Sequence, residues 1–224
     1  KLLKLAEQAE MFQVSELFFR KKKDFEKVIL CAIHGSKHDT SHVFEVIGGL
    51  MQDRQISADL KKLVRKTVMV NLEKLIEIDG QRGSMLILEH FVGKGDDYIR
   101  VIRELDDTSH LQFQFLKGIV NAQDSTSGQD AQRWEALLKT FTFTRDISGK
   151  YISLLCEFEP RGVYPFLIKS PDIDIESSLE LVKRKGIEDA TMYLWERTGD
   201  LDRARDLITG SVEKKMRNLR KVYE

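Results

Sequence analysis

The sequence predicts an all-α fold, an α-solenoid of stacked antiparallel helix hairpins with irregular repeats. Apolar residues recur at three- and four-residue spacing along nearly the whole chain, while the two-residue alternation of strands is scarce. Only three of the 224 residues are proline, and 42% are hydrophobic against 32% charged, which favours folded helical structure over disorder. Three segments also share one helix–turn–helix pattern. A single hairpin cannot bury its apolar face alone, but stacked hairpins can, and this predicts the solenoid.

The first half of the chain contains most of the short helical patterns. Apolar residues at helical spacing predict helices around residues 12–19, 25–32 and 43–50. A longer helix is expected from about Ser57 to Ile76, with Gly80 and Gly83 marking its end. Further helices are predicted over about 83–91, 96–106 and 108–122.

The stretch DSTSGQD at 124–130 is the one clear polar loop in the sequence. We expect one solenoid fragment over 1–224, in which this loop separates a first group of hairpins (1–123) from a second group (131–224). In the second group, helical patterns lie at about 131–140, 145–157, 161–168, 175–185, 187–198 and 200–220.

Three segments align with one another as hairpins. VSELFFRKKKDFEKVILCA (14–32) aligns without gaps onto ATMYLWERTGDLDRARDLI (190–208), and LEHFVGKGDDYIRVIREL (88–105) provides a third copy. In the first pair Leu17 matches Tyr193, and Phe18 matches Leu194. The spacing between copies is irregular, which predicts a degenerate array rather than a regular repeat.

Each copy has an aspartate at the start of its second helix. Asp24, Asp97 and Asp200 occupy equivalent positions, where a carboxylate accepts hydrogen bonds from free backbone N–H groups and interacts favourably with the helix dipole. Gly199, just before Asp200, suits the left-handed residue that ends the preceding helix. We expect the large side chains of the hairpins to be mostly core, namely Phe12, Phe18, Phe19, Phe44, Phe113, Phe115, Tyr193 and Trp195.

The stretch CAIHGSKHDTSH (31–42) is a candidate metal site. His34, His38 and His42 lie four residues apart, so one continuous helix would place the three imidazoles on one face, near Cys31. Zinc binds neutral imidazole and thiolate, and three protein ligands with one water are usual in catalytic zinc sites.

The hairpin pattern favours a turn over a metal site in this stretch. The helix that starts after Asp24 is expected to end near His34, with Gly35 at its C-terminal position. A break there destroys the common face of the three histidines. We therefore predict a surface turn without a structural metal, followed by a helix that is capped by Asp39, Thr40 or Ser41.

Two further stretches resemble ligand-binding loops only in part. FVGKGDD (91–97) has Gly93, Gly95 and Asp96 around a lysine, but it lacks the GxxxxGK[ST] spacing and the preceding strand of a phosphate loop. A hairpin turn explains it better.

PDIDIES (171–177) places Asp172, Asp174 and Glu176 at alternate positions, as at the start of a calcium loop. The sixth position is Ser177 instead of glycine and the twelfth is Lys183 instead of glutamate, so a capped entry to the helix at 175–185 is the better interpretation.

No motif for nucleophilic or metal-assisted catalysis is supported by its context, and His90 and His110 are isolated. The basic tail VEKKMRNLRKVYE (212–224) could contact acidic lipid or an acidic partner, but its amphipathic spacing favours a helix that continues the array. We predict no enzyme activity, no cofactor, and no catalytic, cofactor-binding or metal-binding residue.

Charge and cysteine content limit the function classes. The 36 basic and 36 acidic residues cancel, which gives no electrostatic argument for nucleic acid or an anionic membrane as the main partner. Cys31 and Cys156 lie far apart and are interpreted as reduced thiols of a cytosolic protein. No apolar run approaches the roughly 18 residues of a membrane-spanning helix. The first residues lack an initiator methionine and a signal-peptide core, so we expect a fragment of a longer chain.

The order of several segments resembles the vacuolar protein sorting-associated protein 8 family, large subunits of the endosomal tethering complex CORVET. The segments are AEQAEMFQVSELFFRKKKDFEKVILCAI, SHVFEVIGGLM, YISLLCEFEPRGVYPFLIKS and SSLELVKRKGIEDATMYLWERTGDLDRARDLI. The resemblance is weakest across about 52–85 and 121–145. Clathrin heavy-chain repeats and subunits of the homologous HOPS complex end helices with a similar Gly-Asp pattern, so a HOPS-type or vesicle-coat solenoid is the alternative.

The resemblance implies a clathrin heavy-chain-like or TPR-like solenoid that is a non-catalytic scaffold in vesicle tethering and in protein transport from endosome to vacuole or lysosome. It implies other tethering subunits as partners, and a Rab GTPase at the level of the full-length protein rather than through these residues. The implied location is cytoplasmic, peripheral on endosomal and vacuolar membranes, with indirect membrane association. An α-helical enzyme with an unrecognised site is a remote alternative.

Overall fold

The computed structural model describes residues 9, 11–37, 39–91, 101–103, 105, 108–124, 131–138, 141, 143–170 and 172–223. Within these residues the chain has thirteen α-helices and no strand, which confirms the all-α prediction. Helices that are neighbours in sequence pack against one another, notably the pairs 12–21 with 25–35, 80–90 with 109–124, and 188–198 with 201–223. This packing of neighbouring pairs is the arrangement predicted for stacked hairpins.

The helices form two compact units, Lys1–Phe141 and Thr142–Glu224. The first unit contains α1 Phe12–Lys21, α2 Phe25–Gly35, α3 Thr40–Gln52, α4 Ala58–Val70, α5 Leu72–Ile78, α6 Gly80–His90, α7 Ser109–Asp124 and α8 Ala131–Leu138. The second contains α9 Arg145–Phe158, a 3₁₀ turn Pro160–Gly162, α10 Val163–Lys169, α11 Ile175–Lys185, α12 Glu188–Thr198 and α13 Leu201–Tyr223.

The boundary between these units differs from the expected grouping at the polar loop. Helix α8 packs against α6 and α7, so it joins the first unit although it follows the loop in sequence. Of the loop itself, residues 125–130 lie outside the described residues. The same is true of most of the helix expected over 96–106.

The long helix predicted from Ser57 to Ile76 is interrupted at Asn71. The Asn71 side-chain amide donates to the Thr67 carbonyl at 2.9 Å, and the backbone turns there between α4 and α5. The prediction that Gly80 and Gly83 end this helix is wrong, because both glycines lie in the first turns of α6. Asp79 in extended backbone caps α6 by accepting from the Arg82 amide at 2.9 Å.

The two hairpin turns aligned in the sequence have the same backbone hydrogen bonds. The Asp24 amide donates to the Phe19 carbonyl at 3.1 Å, and the Asp200 amide donates to the Trp195 carbonyl at 2.9 Å. The residue before each aspartate has a positive φ, +56° at Lys23 and +81° at Gly199. This is the Schellman arrangement, in which a left-handed residue lets the chain leave the helix while its last carbonyls stay bonded.

Both aspartates cap the following helix as predicted. Asp24 accepts from the Lys27 amide at 3.3 Å and Asp200 accepts from the Arg203 amide at 3.4 Å. The same turn recurs between α11 and α12, where Gly186 has φ +70° and the Ile187 amide donates to the Val182 carbonyl at 3.0 Å. The turn of the third aligned copy lies outside the described residues.

The left-handed positions predict opposite effects of substitution at two equivalent sites. Lys23→Gly should stabilise the chain by about 0.5–1 kcal/mol, because relief of the left-handed strain exceeds the entropy that glycine loses on folding. Gly199→Val should destabilise it by about 2 kcal/mol through backbone strain alone, since a Cβ there meets no atom within 4 Å.

Asp200→Ala should destabilise the chain by about 1 kcal/mol through the lost cap. Urea unfolding of the three variants measures these changes. Midpoints equal to that of the parent chain would show that the hairpin turns do not lie at these residues.

The expected aromatic core is confirmed at four of its eight positions. Phe19, Phe44, Phe113 and Phe115 are buried, whereas Phe12, Tyr193 and Trp195 are half-buried. Phe18 is 39% exposed and carries the Lys22 ammonium 4.6 Å from its ring centroid, although its aligned partner Leu194 is fully buried. The shared pattern therefore predicts the turn geometry but not which residues face the core.

Helices α6 and α7 approach each other closely where they cross at Gly118. A Cβ added at Gly118 would lie 2.4 Å from the Gly80 carbonyl oxygen and 2.4 Å from the Ser84 hydroxyl oxygen. The Ser84 hydroxyl lies 2.6 Å from the Gly80 carbonyl oxygen and 2.8 Å from the Phe115 carbonyl oxygen. Small residues on both helices thus allow a backbone-to-backbone contact that any side chain at Gly118 would prevent.

Candidate functional site

The histidine-rich stretch forms a helix end, a turn and a helix start. Helix α2 ends at Gly35, and Asp39 caps α3 by accepting from the Ser41 amide at 2.9 Å and the His42 amide at 3.3 Å. The break predicted between His34 and His42 is confirmed, whereas His38 lies outside the described residues. His34 stacks on the Phe12 ring at a centroid distance of 5.7 Å.

His42 belongs to a partly buried polar contact with Glu16. Its Nε2 lies 2.7 Å from Glu16 Oε2, and the Arg20 guanidinium donates to Glu16 Oε1 at 2.9 Å. The Glu16 side chain is 6% exposed, so this carboxylate is removed from water and is balanced by two nitrogen donors. The contact ties α1 to α3. A glutamate inside the apolar run VSELFF, four residues before an arginine, indicates the Glu16–Arg20 bond, but nothing in the local sequence indicates His42 as the second partner.

The stretch that resembled a calcium loop is a helix entry. Asp174 caps α11 and accepts from the Ser177 amide at 3.2 Å and the Ser177 hydroxyl at 2.8 Å. These bonds hold the pKa of Asp174 below its ordinary value, because they stabilise the charged carboxylate. Asp172 is engaged separately, with Arg145 Nη2 3.2 Å away. The two carboxylates therefore have different local partners.

The other candidate stretches contribute little to a site. The glycine-containing stretch 92–97 lies outside the described residues, so its interpretation as a hairpin turn stays a prediction. The basic tail lies in the last turns of α13, which runs to Tyr223 as a continuous helix. Cys156 is buried, and burial raises the pKa of its thiol, which leaves a weak nucleophile at neutral pH.

An open pocket of about 580 Å³ lies in the first unit, between α5, the start of α6 and the start of α7. Its ionisable lining is mostly acidic: Glu73, Glu77 and Asp79, together with His110. Asp79 is engaged as the cap of α6, and His110 Nε2 lies 3.4 Å from the Gln114 side-chain nitrogen. The pocket can accommodate a cationic group by charge. No local sequence pattern indicates this pocket, because residues more than thirty positions apart form it.

Large apolar side chains are exposed in rows on two helices. On α13, Ile208, Val212 and Met216 are about half exposed and lie four residues apart, in line with Leu201, which is 63% exposed. On α1, the exposed apolar residues are Val14, Leu17 and Phe18. Contiguous apolar rows on a protein surface are typical of packing or interaction faces. None of the described helices is long and apolar enough to cross a membrane.

The chain is similar in sequence to two curated proteins. The "Vacuolar protein sorting-associated protein 8 homolog" of Mus musculus is 23% identical over 219 residues, and that of Homo sapiens is 22% identical over 219 residues. Each match covers 98% of this chain and 14% of the relative, so the chain spans about one seventh of the length of these proteins. No protein-family model matches the chain, and no solved structure matches it. The similarity that the quoted segments indicated is therefore confirmed along nearly the whole chain.

Proposed function

We propose that this chain, on the strength of its similarity to the vacuolar protein sorting-associated protein 8 homologs, is a scaffold segment of an endosomal membrane-tethering subunit. In this role it supports vesicle tethering and transport to the vacuole or lysosome by holding other parts of the subunit in place. The observation that carries the proposal is a match over 98% of the chain to proteins named for vacuolar sorting.

The packing of the helices supports a scaffold role. Hairpins joined by short capped turns form two compact units, and the exposed rows on α1 and α13 offer apolar surface to further helices or subunits. The proposed partners are the other subunits of the tethering complex. A Rab GTPase is proposed as a partner of the longer protein, outside these residues.

The His-containing acidic pocket provides the sharpest test of the non-catalytic part of this proposal. In the full-length protein, the combined variant Glu73→Gln, Glu77→Gln and His110→Ala should leave cargo sorting and subunit assembly unchanged, because no mechanism is assigned to these groups. Deletion of the whole segment should abolish both. The measurements are a cargo-sorting assay in cells that lack the endogenous protein and co-purification of the tagged subunit with its partners.

The matched control is Glu196→Gln, an exposed carboxylate on α12 that is not among the residues lining the pocket. Loss of sorting in the pocket variant, with assembly intact and the control normal, would contradict the scaffold proposal and indicate a discrete site. Failure of the full-length protein to co-purify with any tethering subunit would contradict the assignment to a tether.

A further inference from the structure

Helix α4 exposes a dense basic face. Four cations lie within six residues: Lys62, Arg65 and Lys66 are exposed and Lys61 is half exposed. At 100° per residue, Lys62 and Lys66 form one row along the helix and Lys61 and Arg65 form the adjoining row. Among the described residues, the single ion pair of these four cations joins Lys62 Nζ to Asp59 at 3.9 Å, with side-chain exposures of 78% and 94%. The local charge is thus barely neutralised.

Two aliphatic side chains lie along the edge of this basic face. Leu63 is 37% exposed and Val70 is 76% exposed, more than any other large hydrophobic side chain of the described residues. They are seven residues apart, which is two helical turns or about 10 Å along the axis. Helix α4 is not a terminal helix that lacks a packing neighbour. It packs against α2, α3 and α5 through its other side. Val64, Thr67 and Val68 form that buried side.

We propose that the exposed face of α4 binds the surface of an anionic membrane. Lysine and arginine clusters on an amphipathic helix are attracted to anionic headgroups, and aliphatic side chains at the edge can enter the boundary between headgroups and acyl chains. The long side chains of Lys62 and Lys66 can keep their charges among the headgroups while their methylenes lie deeper.

The geometry favours a membrane over an acidic peptide as the partner. A defined peptide is usually recognised by cations that neighbouring groups hold in position, in a groove that surrounds it. Here the cations lie on the solvent-facing side of a single helix, with one long ion pair among the four. Such a face matches a fluid layer of negative charge, which requires no fixed arrangement of partners.

This inference goes beyond the proposed function, because α4 can contact lipid whether or not the chain is part of a tether. It concerns one helix and is tested on the purified chain, so its failure would leave the proposed scaffold role unaffected. It also differs from the indirect membrane association that the resemblance implied.

The test is sedimentation of the chain with vesicles of phosphatidylcholine and phosphatidylserine, compared with vesicles of phosphatidylcholine alone. Lys62→Gln with Lys66→Gln should lower partitioning onto the anionic vesicles about 30-fold, since each lysine near such a surface contributes a factor of about five. Val70→Ser should lower it by a smaller factor through the lost apolar contact. Binding should also weaken as salt is raised, because the charges are exposed.

The matched control is Lys214→Gln with Lys215→Gln, which removes the same charge from the basic tail and should change partitioning less than about 3-fold. Circular dichroism of the α4 variants should match the parent chain, because the replaced side chains of Lys62, Lys66 and Val70 are exposed. Equal binding of the α4 variant and the parent, or loss of binding only in the tail variant, would overturn the proposal. So would tight binding of a glutamate-rich amphipathic peptide by a chain that does not bind the anionic vesicles.

Discussion

Leu194→Asp should unfold the second unit of the chain. Leu194 has no exposed surface and lies on α12, which packs against α10, α11 and α13. The substitution removes a leucine from a packed core and puts a carboxylate there. The two effects together should cost at least about 5 kcal/mol, as much as the whole free energy of unfolding of a marginal domain.

The matched control is Leu201→Asp. Leu201 is 63% exposed at the first position of α13, where a carboxylate also interacts favourably with the helix dipole, so stability should change by less than about 0.5 kcal/mol. Thermal unfolding followed by circular dichroism compares the two variants. In the full-length protein, the first variant should impair sorting as strongly as deletion of the segment. If Leu194→Asp unfolds at the same temperature as the parent chain, α12 is not part of a cooperative core.

Gly118→Ala should destabilise the first unit by about 3 kcal/mol, although alanine is the better helix former. The new methyl group would lie 2.4 Å from the Gly80 carbonyl oxygen, which belongs to the backbone and can move only with helix α6. The crossing of α6 and α7 must therefore open, which is an overpacking cost at the upper end of the usual range. The gain of about 1 kcal/mol in helix propensity does not offset it.

Gly49→Ala is the control for this prediction in the same unit. Gly49 is exposed on α3, and a Cβ there meets no atom within 4 Å, so the alanine should stabilise the chain by about 0.5–1 kcal/mol. Urea unfolding of both variants should give midpoints on opposite sides of the parent chain. If both alanines stabilise, the helices are farther apart at Gly118 than described.

Local signals predicted the hairpin turns well. Asp24 and Asp200 accept hydrogen bonds from amides three residues away, and Gly199 contributes only its own positive φ. Each of these interactions therefore involves only residues that are close in sequence. The break at Asn71 is not predicted by the sequence, because the apolar pattern continues through it and neither glycine nor proline marks it. The hydrogen bond from the Asn71 side chain to the Thr67 carbonyl cannot be predicted from the spacing of apolar residues.

Long-range contacts explain the remaining errors. Gly80 suggests the end of a helix because glycine often has that role, whereas here its carbonyl oxygen lies against Gly118, thirty-eight residues later. The acidic pocket and the Glu16–His42 contact likewise join residues from different helices. The basic face of α4 is not evident from composition for another reason: the chain has a net charge of zero although four neighbouring cations lie on this one helix.

The short turns between paired helices determine how the protein responds to mechanical load. Only Gly199 and Asp200 separate α12 from α13, and only Gly186 and Ile187 separate α11 from α12. Tension applied to the two outer ends of such a hairpin peels the helices apart one turn at a time, instead of shearing the whole contact at once. Each pair then yields at a low force and recovers quickly, since its partner helix stays attached through the turn. A hairpin built this way should open and close in steps when its two ends are pulled apart.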